Sequence, residues 1–258
     1  MVTALMESHI KAAELLGTIK DEVKEYLIEK KNLNEYKVWK FVRRRFSYYN
    51  LRTDKECPIV AFGPNTSYVH YFPKKTRSEP LKTEIPILLD IWAHLPYGIY
   101  ADMTWMFYYG RKPDPLFQKV FNAILASRDA ALSYLRDQFQ DGKVPISNKI
   151  DAVVRESLND AKLGAYFFHS TGHSMTQRLV HGLKSNKGLS PKNDLKMKPR
   201  LPYTIEPGLY LAHLDHPFGA RSEIDFYVDD KKKIVVTTPL QKELDYILPR
   251  GQSTLDGF

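Results

Sequence analysis

Cysteine is almost missing from this chain of 258 residues, which has only Cys57 and so cannot form an internal disulfide. No stretch reaches the roughly 20 apolar residues that a membrane-spanning helix needs. The N-terminus lacks the basic and apolar segments of an export signal. We therefore predict a cytoplasmic protein without a membrane partner. Because Cys57 precedes Pro58 at the head of an apolar stretch, we interpret it as a buried residue rather than a nucleophile.

Motifs of nucleic-acid-binding proteins are also missing: there is no zinc-finger spacing, aromatic ribonucleoprotein signature or sustained basic helix. The chain has 38 Lys and Arg against 30 Asp and Glu, a net charge of +8. The densest basic runs end a helical pattern at 43–45 and occupy a turn at 231–233. The excess charge is therefore interpreted as a solvated basic surface, with no nucleic-acid partner. A hydrophobic content of 43% excludes disorder.

Hydrophobic periodicity predicts helices and strands in a repeated order. Asp114 and Pro115 form a cap and first-turn pair, and we expect Ser147 to cap a further helix. The predicted helices cover 4–30, 34–46, 115–139 and a segment that begins at 147. The predicted strands are 57–63, 85–94, 98–110, 165–169, 201–212, 221–228 and 233–239.

This order, helices followed by strands and then the same again, indicates an α+β fold rather than a parallel doubly wound one. No glycine-rich phosphate loop and no low-complexity linker interrupts it. We predict one domain over 1–258, with similar halves at about 1–111 and 112–250 that meet over a curved antiparallel sheet.

Two aspartates occupy positions where strands are normally apolar. Asp90 lies in ILLDIW and Asp102 in YADMTWMF, and an unpaired buried carboxylate there is costly. A hairpin that turns at Pro96 places them directly opposite each other, with Cβ atoms roughly 4.5 to 5.5 Å apart. Two like charges this close require a cation.

The second half repeats the arrangement. Glu206 and Glu223 lie on successive strand segments, and their midpoint falls in the connection between them. With His173 of HSTGHS, the set contains four carboxylates and one imidazole, which suits a pair of Mn²⁺, Co²⁺, Fe²⁺ or Zn²⁺ ions. The alternative is that the acids form salt bridges with nearby cations, as Arg221 could with Glu223.

Five segments together resemble the creatinase, prolidase and methionine aminopeptidase superfamily, and most closely its X-Pro peptidase branch. They occur in the family's order and span nearly the whole chain: PIVAFGPNTSYVHY (58–71), LLDIWAHLPYGIYADMTW (88–105), HSTGHSMTQRLVHG (169–182), YTIEPGLYL (203–211) and GARSEID (219–225). The resemblance implies the pseudo-twofold α+β domain known as the pita-bread fold.

The resemblance also implies roles for the site residues. Two divalent metal ions, with manganese favoured, would be held by Asp90, Asp102, His173, Glu206 and Glu223. Glu206 would also accept and return a proton.

Two more residues, His70 and His181, match the histidines that flank the substrate in the family, and they would hydrogen-bond the substrate carbonyl or the oxyanion. Arg221 would orient Glu223 or contact substrate, and the alternative, a structural ion pair, stays open.

The implied function is metal-dependent exopeptidase activity on a small peptide substrate, at an X-Pro bond. The alternatives are a methionine aminopeptidase, a creatinase-like amidinohydrolase and a non-catalytic member that binds peptides or proteins. X-Pro peptidases generally carry a further N-terminal domain, which we expect to be absent here. The family also makes a homodimer a possible assembly.

The chain departs from the family pattern near its histidines. Thr176 stands where a glycine usually follows the metal-binding histidine, and Gly182 where many prolidases have an acid. One extra residue separates His173 from His181, and the spacing from Asp90 to Asp102 is one residue longer. These changes leave the ligand set intact but affect the segment that carries His181.

Overall fold

The computed structural model describes residues 3–182, 188–198 and 200–248, and the remaining parts of the predicted 1–258 domain lie outside them. The helices are α1 (Ala4–Glu29), α2 (Glu35–Tyr48), α3 (Pro115–Gln140) and α4 (Ser147–Asp160). The strands are β1 (Ile59–Phe62), β2 (Ile85–Ala93), β3 (Ala101–Tyr109), β4 (Tyr203–Ile205), β5 (Gly208–Leu211), β6 (Phe218–Arg221), β7 (Ile224–Val228), β8 (Ile234–Val236) and β9 (Asp245–Ile247). Helices and mostly antiparallel strands confirm the predicted α+β class.

The first half is a four-stranded sheet covered by α1 and α2. Its strand order is β1-β2-β3-β9, antiparallel except for the parallel pair β3–β9. The apolar face of α1 packs against β2 and β3. On this face Leu16, Ile19, Val23 and Leu27 are 0% exposed, as their spacing indicates. Among the described helices, none combines the length and the apolar character needed to cross a bilayer.

The second half has α3 and α4 beside two smaller sheets, β4-β7-β8 and β5-β6. The sheet predicted from the sequence is thus divided into three hydrogen-bonded groups. The halves meet where β3 approaches the start of β7. There the N–H of Asp102 donates to a carboxylate oxygen of Asp225 at 2.8 Å, and the N–H of Glu223 points to the carbonyl of Thr104 at 3.4 Å. Two of the predicted metal ligands therefore lie at this junction.

The register of the β2–β3 hairpin differs from the predicted one by two residues. Asp90 is opposite Thr104, and Asp102 is opposite Trp92, so the two aspartates are not directly paired. The turn is centred on Tyr97, which adopts a left-handed φ of 65°, rather than on Pro96. Because residues two apart on a strand share a face, both aspartates still point to the same side as diagonal neighbours.

The prediction of a strand at 165–169 is wrong. Gly164–Tyr166 is instead a short 3₁₀ turn. After this turn, a side chain pairs the backbone carbonyl groups: the guanidinium of Arg155 donates to the carbonyls of Phe167 (3.1 Å) and His169 (2.8 Å). A strand partner is therefore not needed to pair these buried acceptors.

The single strand predicted over 201–212 is two strands, β4 and β5, separated by Glu206 and Pro207. Pro207 has no N–H for a strand ladder. The N–H of Glu206 donates to the carbonyl of Thr171 at 2.7 Å, outside the sheet. This interruption turns Glu206 away from the strand pairing.

The expected cap at Ser147 is also wrong. Ser147 is the first residue of α4, Ile146 holds the capping position, and no side chain makes a capping bond. Instead, the N–H groups of Ser147 and Asn148 donate to the carbonyls of Leu195 (3.0 Å) and Asn193 (2.8 Å). A distant loop thus supplies the acceptors that a capping side chain usually provides. Asp114 does cap α3, accepting from the N–H of Leu116 at 2.7 Å.

Glu35, the first residue of α2, fixes the segment that follows β1. It is fully buried. One carboxylate oxygen accepts from the N–H of Phe62 at 2.7 Å and the amide of Asn65 at 3.0 Å. The other accepts from the hydroxyl of Tyr71 at 2.6 Å and the N–H of Glu79 at 2.8 Å. One carboxylate therefore anchors both ends of the chain between β1 and β2.

Replacing Glu35 tests how much its carboxylate contributes to the stability of the fold. We expect Glu35→Ala to lower the free energy of unfolding by at least about 3 kcal/mol, because four donors in buried or half-buried positions lose their acceptor. Urea unfolding at pH 7 measures this. The matched control is Glu25→Ala, an exposed glutamate on α1, which should change stability by less than about 0.5 kcal/mol. Equal effects of the two substitutions would contradict the anchoring role.

Candidate metal centre

All the residues predicted for the site line one cavity of about 330 Å³ where the two halves meet. The five predicted ligands are Asp90, Asp102, His173, Glu206 and Glu223, and the three predicted substrate contacts are His70, His181 and Arg221. The structure therefore brings together residues that are up to 153 positions apart, from His70 to Glu223. Their roles stay predictions.

Each acid is positioned by a strand or by a strand end. Asp90 is on β2 and Asp102 on β3, while Glu206 lies between β4 and β5 and Glu223 between β6 and β7. His173 is held against β4, where its carbonyl accepts from the N–H of Thr204 at 2.8 Å. The five predicted ligands are therefore placed by backbone pairing rather than by flexible loops alone.

Three of these side chains are close enough to share a metal ion. One ligand atom each from Asp102, His173 and Glu223 lie within 4.8 Å of one another. Nε2 of His173 is 3.8 Å from a carboxylate oxygen of Asp102 and 3.5 Å from one of Glu206.

Two unpaired carboxylate oxygens show whether a metal ion fits among Asp102, His173 and Glu223. Oδ1 of Asp102 and Oε1 of Glu223 are buried and accept no hydrogen bond from the described residues. Buried polar atoms without a partner are costly. Carboxylate oxygens beside an imidazole are the donors that Mn²⁺, Fe²⁺ and Zn²⁺ accept. The residues therefore fit a divalent metal centre.

Burial and mutual repulsion set the protonation of the acids. Burial, followed by the charges of neighbouring acids, holds the pKa values of Asp102 and Glu223 well above the usual range. Burial raises the pKa of Glu206 to about 8, and it raises that of Asp90 against the opposing effect of Arg221. Burial disfavours the charged form of each acid, and for Asp102 and Glu223 the charges of neighbouring acids add to this effect.

The imidazole of His173 behaves in the opposite sense. Burial, and then the nearby charge of His181, lower its pKa to about 3. The ring is therefore neutral at physiological pH, which is the form that binds metals.

Arg221 is the cation that compensates Asp90. It is 3% exposed, and its Nη2 contacts a carboxylate oxygen of Asp90. Nε donates to the hydroxyl of Thr104 at 3.0 Å, and Nη1 donates to the hydroxyl of Tyr210 at 2.8 Å. The direct ion pair considered between Arg221 and Glu223 is therefore wrong. Thr104 links them, because its hydroxyl donates to Glu223 at 2.9 Å.

His169 completes this chain of hydrogen bonds. Its Nδ1 is 2.8 Å from the carbonyl of Ser170, which can only accept, so Nδ1 carries the proton. Nε2 then accepts from the hydroxyl of Tyr210 at 3.1 Å. Burial, and then the charge of Arg221, lower the pKa of His169 to about 3. A neutral histidine thus orients Tyr210, which in turn orients Arg221.

A second group, behind the acids, is not among the residues predicted from the sequence. Asp225 is fully buried and accepts the N–H of Asp102. The ring of His9 on α1 lies 3.9 Å from the same carboxylate and bonds the carbonyl of Tyr100 at 2.7 Å and the hydroxyl of Thr237 at 2.9 Å. The signal for Asp225 is available in the sequence, since it is an acid inside an apolar strand, as Asp90 is.

Arg128 of α3 supports the segment around Ser222, which precedes Asp225. Its buried guanidinium donates to the hydroxyl of Ser222 and to the carbonyl of Gln241, both at 2.7 Å. Ser222 stands between Arg221 and Glu223. A residue on a distant helix therefore fixes the backbone that carries two site residues.

His70 and His181 lie at the open side of the cavity. Both are exposed, and the ring of His181 is 4.8 Å from that of His173. Partial burial, followed by the charge of Arg221, lowers the pKa of His70. This position between solvent and the acids is compatible with the predicted contact to a substrate.

The departures from the family pattern have local explanations. The hydroxyl of Thr176 accepts from the N–H of Leu179 at 3.0 Å, and the residue does not adopt a left-handed backbone. It therefore forms a turn without the strain expected where a glycine is replaced. Gly182 does need to be glycine, because its φ is 64° and a Cβ would lie 2.5 Å from the hydroxyl of Ser174.

Three buried carboxylates, the half-buried Glu206 and a neutral imidazole face one cavity at the junction of two α+β halves, a set of side chains typical of carboxylate–histidine metal centres. The model of metallopeptidase family M24 matches residues 7–230, and the chain belongs to this family. An uncharacterized peptidase of Methanocaldococcus jannaschii is 29% identical over 221 residues, which cover 86% of this chain and 58% of that protein. An uncharacterized peptidase of Staphylococcus aureus is 26% identical over 88% of this chain and 59% of its own length.

Solved structures share the fold. The dipeptidase PepE of Mycobacterium ulcerans superposes with a TM-score of 0.81 at 22% identity, over 95% of this chain and 61% of that one. The X-Pro aminopeptidase of Thermotoga maritima gives 0.80 at 20% identity, over 96% and 65%. These similarities confirm the predicted pita-bread fold. The chain spans about three-fifths of the length of these proteins.

The raised pKa values predict how stability depends on pH in metal-free protein. Glu206 has a pKa of about 8 when folded and near 4.5 in its ordinary state, so the folded chain binds more protons between these values. The contribution of Glu206 to the free energy of unfolding is therefore largest at or below pH 4.5. It falls as the pH rises from 4.5 through 8, by up to about 1.4 kcal/mol per pH unit per proton. Urea unfolding in a chelator at pH 6, 7 and 9 measures this slope.

The control for this prediction is Glu206→Gln, which keeps the shape and removes one titrating group, and should reduce the slope. Added Mn²⁺ should raise the stability of wild-type protein more at pH 8 than at pH 6, because the metal competes with protons for the same oxygens. Equal stability of metal-free protein at pH 6 and 9 would contradict the assignment.

Proposed function

We propose that this chain hydrolyses the peptide bond before a proline near the N-terminus of a small peptide, with two divalent metal ions, manganese being favoured. The observation that carries the proposal is the set of buried acids with unpaired oxygens in one cavity. Membership of a metallopeptidase family supports it, as do solved structures named X-Pro aminopeptidase and prolidase.

Asp90, Asp102, His173, Glu206 and Glu223 would hold the metal ions, which would supply Lewis acidity and lower the pKa of water toward neutrality. The chain provides the fixed geometry for this. Arg221 and Thr104 hold the carboxylates of Asp90 and Glu223 in place.

Proton transfer is assigned to Glu206. A carboxylate within hydrogen-bond reach of the attacking water can both accept a proton and return it. Glu206 lies beside His173 and lines the cavity, which supports this assignment. It would take the proton of the attacking water and give it to the leaving amine.

Substrate binding is assigned to the open side of the cavity. His70 and His181 would donate hydrogen bonds to the carbonyl oxygen as it becomes an oxyanion, a role worth roughly 10² to 10³ in rate for one donor. Ile59, Val69 and Trp92 contribute apolar surface to the same cavity, which suits a pyrrolidine ring.

The structure favours positioning over substrate binding as the role of Arg221. All three guanidinium nitrogens already have partners in Thr104, Tyr210 and Asp90. A substrate would have to displace one of these contacts. The role in substrate binding is therefore the less favoured of the two.

The test is hydrolysis of X-Pro dipeptides, X-Pro-Y tripeptides and Met-Ala peptides by metal-stripped protein, before and after Mn²⁺ or Co²⁺ is restored. We expect metal-dependent cleavage before proline, and a loss of at least about 10³ in kcat/KM for Glu223→Ala, because a ligand is removed. The matched control is Asp215→Ala, an exposed acid in the connection between Glu206 and Glu223, which should retain activity.

The other outcomes separate the alternatives. Cleavage of Met-Ala peptides without X-Pro cleavage would indicate methionine aminopeptidase activity. Silence across the panel with metal bound would contradict a peptidase and favour a peptide-binding role.

A further inference from the structure

A second cavity adjoins the metal centre. It has a volume of about 730 Å³ and shares His70 and Phe72 with the first cavity as lining residues. Lys74 and Arg77 also line it. We call it the 65–79 cavity, after the segment of chain that lines it. The two cavities are therefore neighbours that meet at His70 and Phe72.

The segment that carries the two cations is held in place at both ends. Tyr71 and Glu79 are both bonded to the buried carboxylate of Glu35. Between them, Lys74 and Arg77 exchange backbone hydrogen bonds of 3.0 and 3.2 Å, which closes a turn. Lys74 and Arg77 therefore lie on an anchored loop. Because the loop is already ordered, less of its conformational entropy is lost when a ligand binds.

The charge of the two cations is not neutralised by the protein. Within the described residues, neither Lys74 nor Arg77 forms an ion pair. Glu79 is the one acid among the described residues that line this cavity, and its carboxylate lies 3.8 Å from Lys82 instead. The 65–79 cavity is thus positive beside a metal-binding cavity that is rich in carboxylates.

We propose that the 65–79 cavity binds a carboxylate group on the C-terminal side of the scissile bond, through Lys74 and Arg77. This inference rests on the proposed function and names its substrate class: peptides that extend beyond the bond and carry a negative charge downstream. Lys74 and Arg77 repel a peptide's ammonium group and attract its carboxylate. The C-terminal side of a bound peptide is thereby directed toward the 65–79 cavity.

The carboxylate has two possible sources with the same chemistry. It is either the terminal carboxylate of a short peptide or the side chain of Asp or Glu in a longer one. Three peptide series of three to five residues distinguish them, all beginning with Ala-Pro: free acids, the same peptides as terminal amides, and amides with Glu in place of one downstream Ala.

With Mn²⁺ present, we expect wild-type protein to cleave at least one carboxylate series with a kcat/KM about fivefold or more above the neutral amides, mainly through KM. Preference for the free acids identifies the terminal group, and preference for the Glu amides identifies the side chain. Lys74→Met/Arg77→Met should reduce this preference to about one. The matched control is Lys75→Met, an exposed lysine in the same turn that does not line the cavity, which should keep the preference.

A binding measurement decides the inference independently of hydrolysis. Calorimetric titration uses the same peptides with the scissile amide reduced to a methylene-amine, which cannot be hydrolysed. Tighter binding of the carboxylate analogues than of the neutral ones, lost in Lys74→Met/Arg77→Met, supports the subsite. This holds even if wild-type protein cleaves none of the peptides, because absence of cleavage would overturn only the proposed function. Equal binding of charged and neutral analogues, or a preference that survives in the double variant, overturns the subsite.

Discussion

The crowding of four buried or half-buried carboxylates around one cavity is the constraint on which the rest of this structure depends. Asp90, Asp102, Glu206 and Glu223 all have raised pKa values, and burial is the largest cause in each case. Among the described residues lining the cavity, Arg221 is the one permanent cation, and it contacts Asp90. Such a cluster is costly as a structural core and becomes favourable when divalent cations enter it.

Much of the surrounding fold holds these acids in position. The pleat of β2 and β3 directs Asp90 and Asp102 to one face, and the break between β4 and β5 leaves Glu206 outside the ladder. Support also comes from behind the site. Asp225 accepts the N–H of Asp102, and Arg128 fixes Ser222 beside Glu223. The positions of the ligands are thus set by buried hydrogen bonds that reach both halves.

The sequence contains much of this information, but not all of it. An acid within an apolar strand is costly without a partner, so Asp90 and Asp102 could be recognised as site residues from the sequence. Their register could not be, because it depends on the left-handed conformation of Tyr97 in the turn. The strand predicted at 165–169 failed because Arg155, from α4, takes the carbonyl groups.

The supporting network was missed for a related reason. The contact from Thr104 to Glu223 joins residues 119 apart, and that from Asp102 to Asp225 joins residues 123 apart. Periodicity and spacing describe local structure and do not report which distant side chains meet.

We infer that the unpaired oxygens of Asp102 and Glu223, together with His173, bind a divalent metal. Crystals grown with Mn²⁺ and measured at the manganese absorption edge test this inference. We expect an anomalous peak within bonding distance, about 2.0 to 2.3 Å, of these three side chains. An empty cavity in which the carboxylates pair with one another through shared protons, with manganese bound elsewhere or not at all, would contradict it.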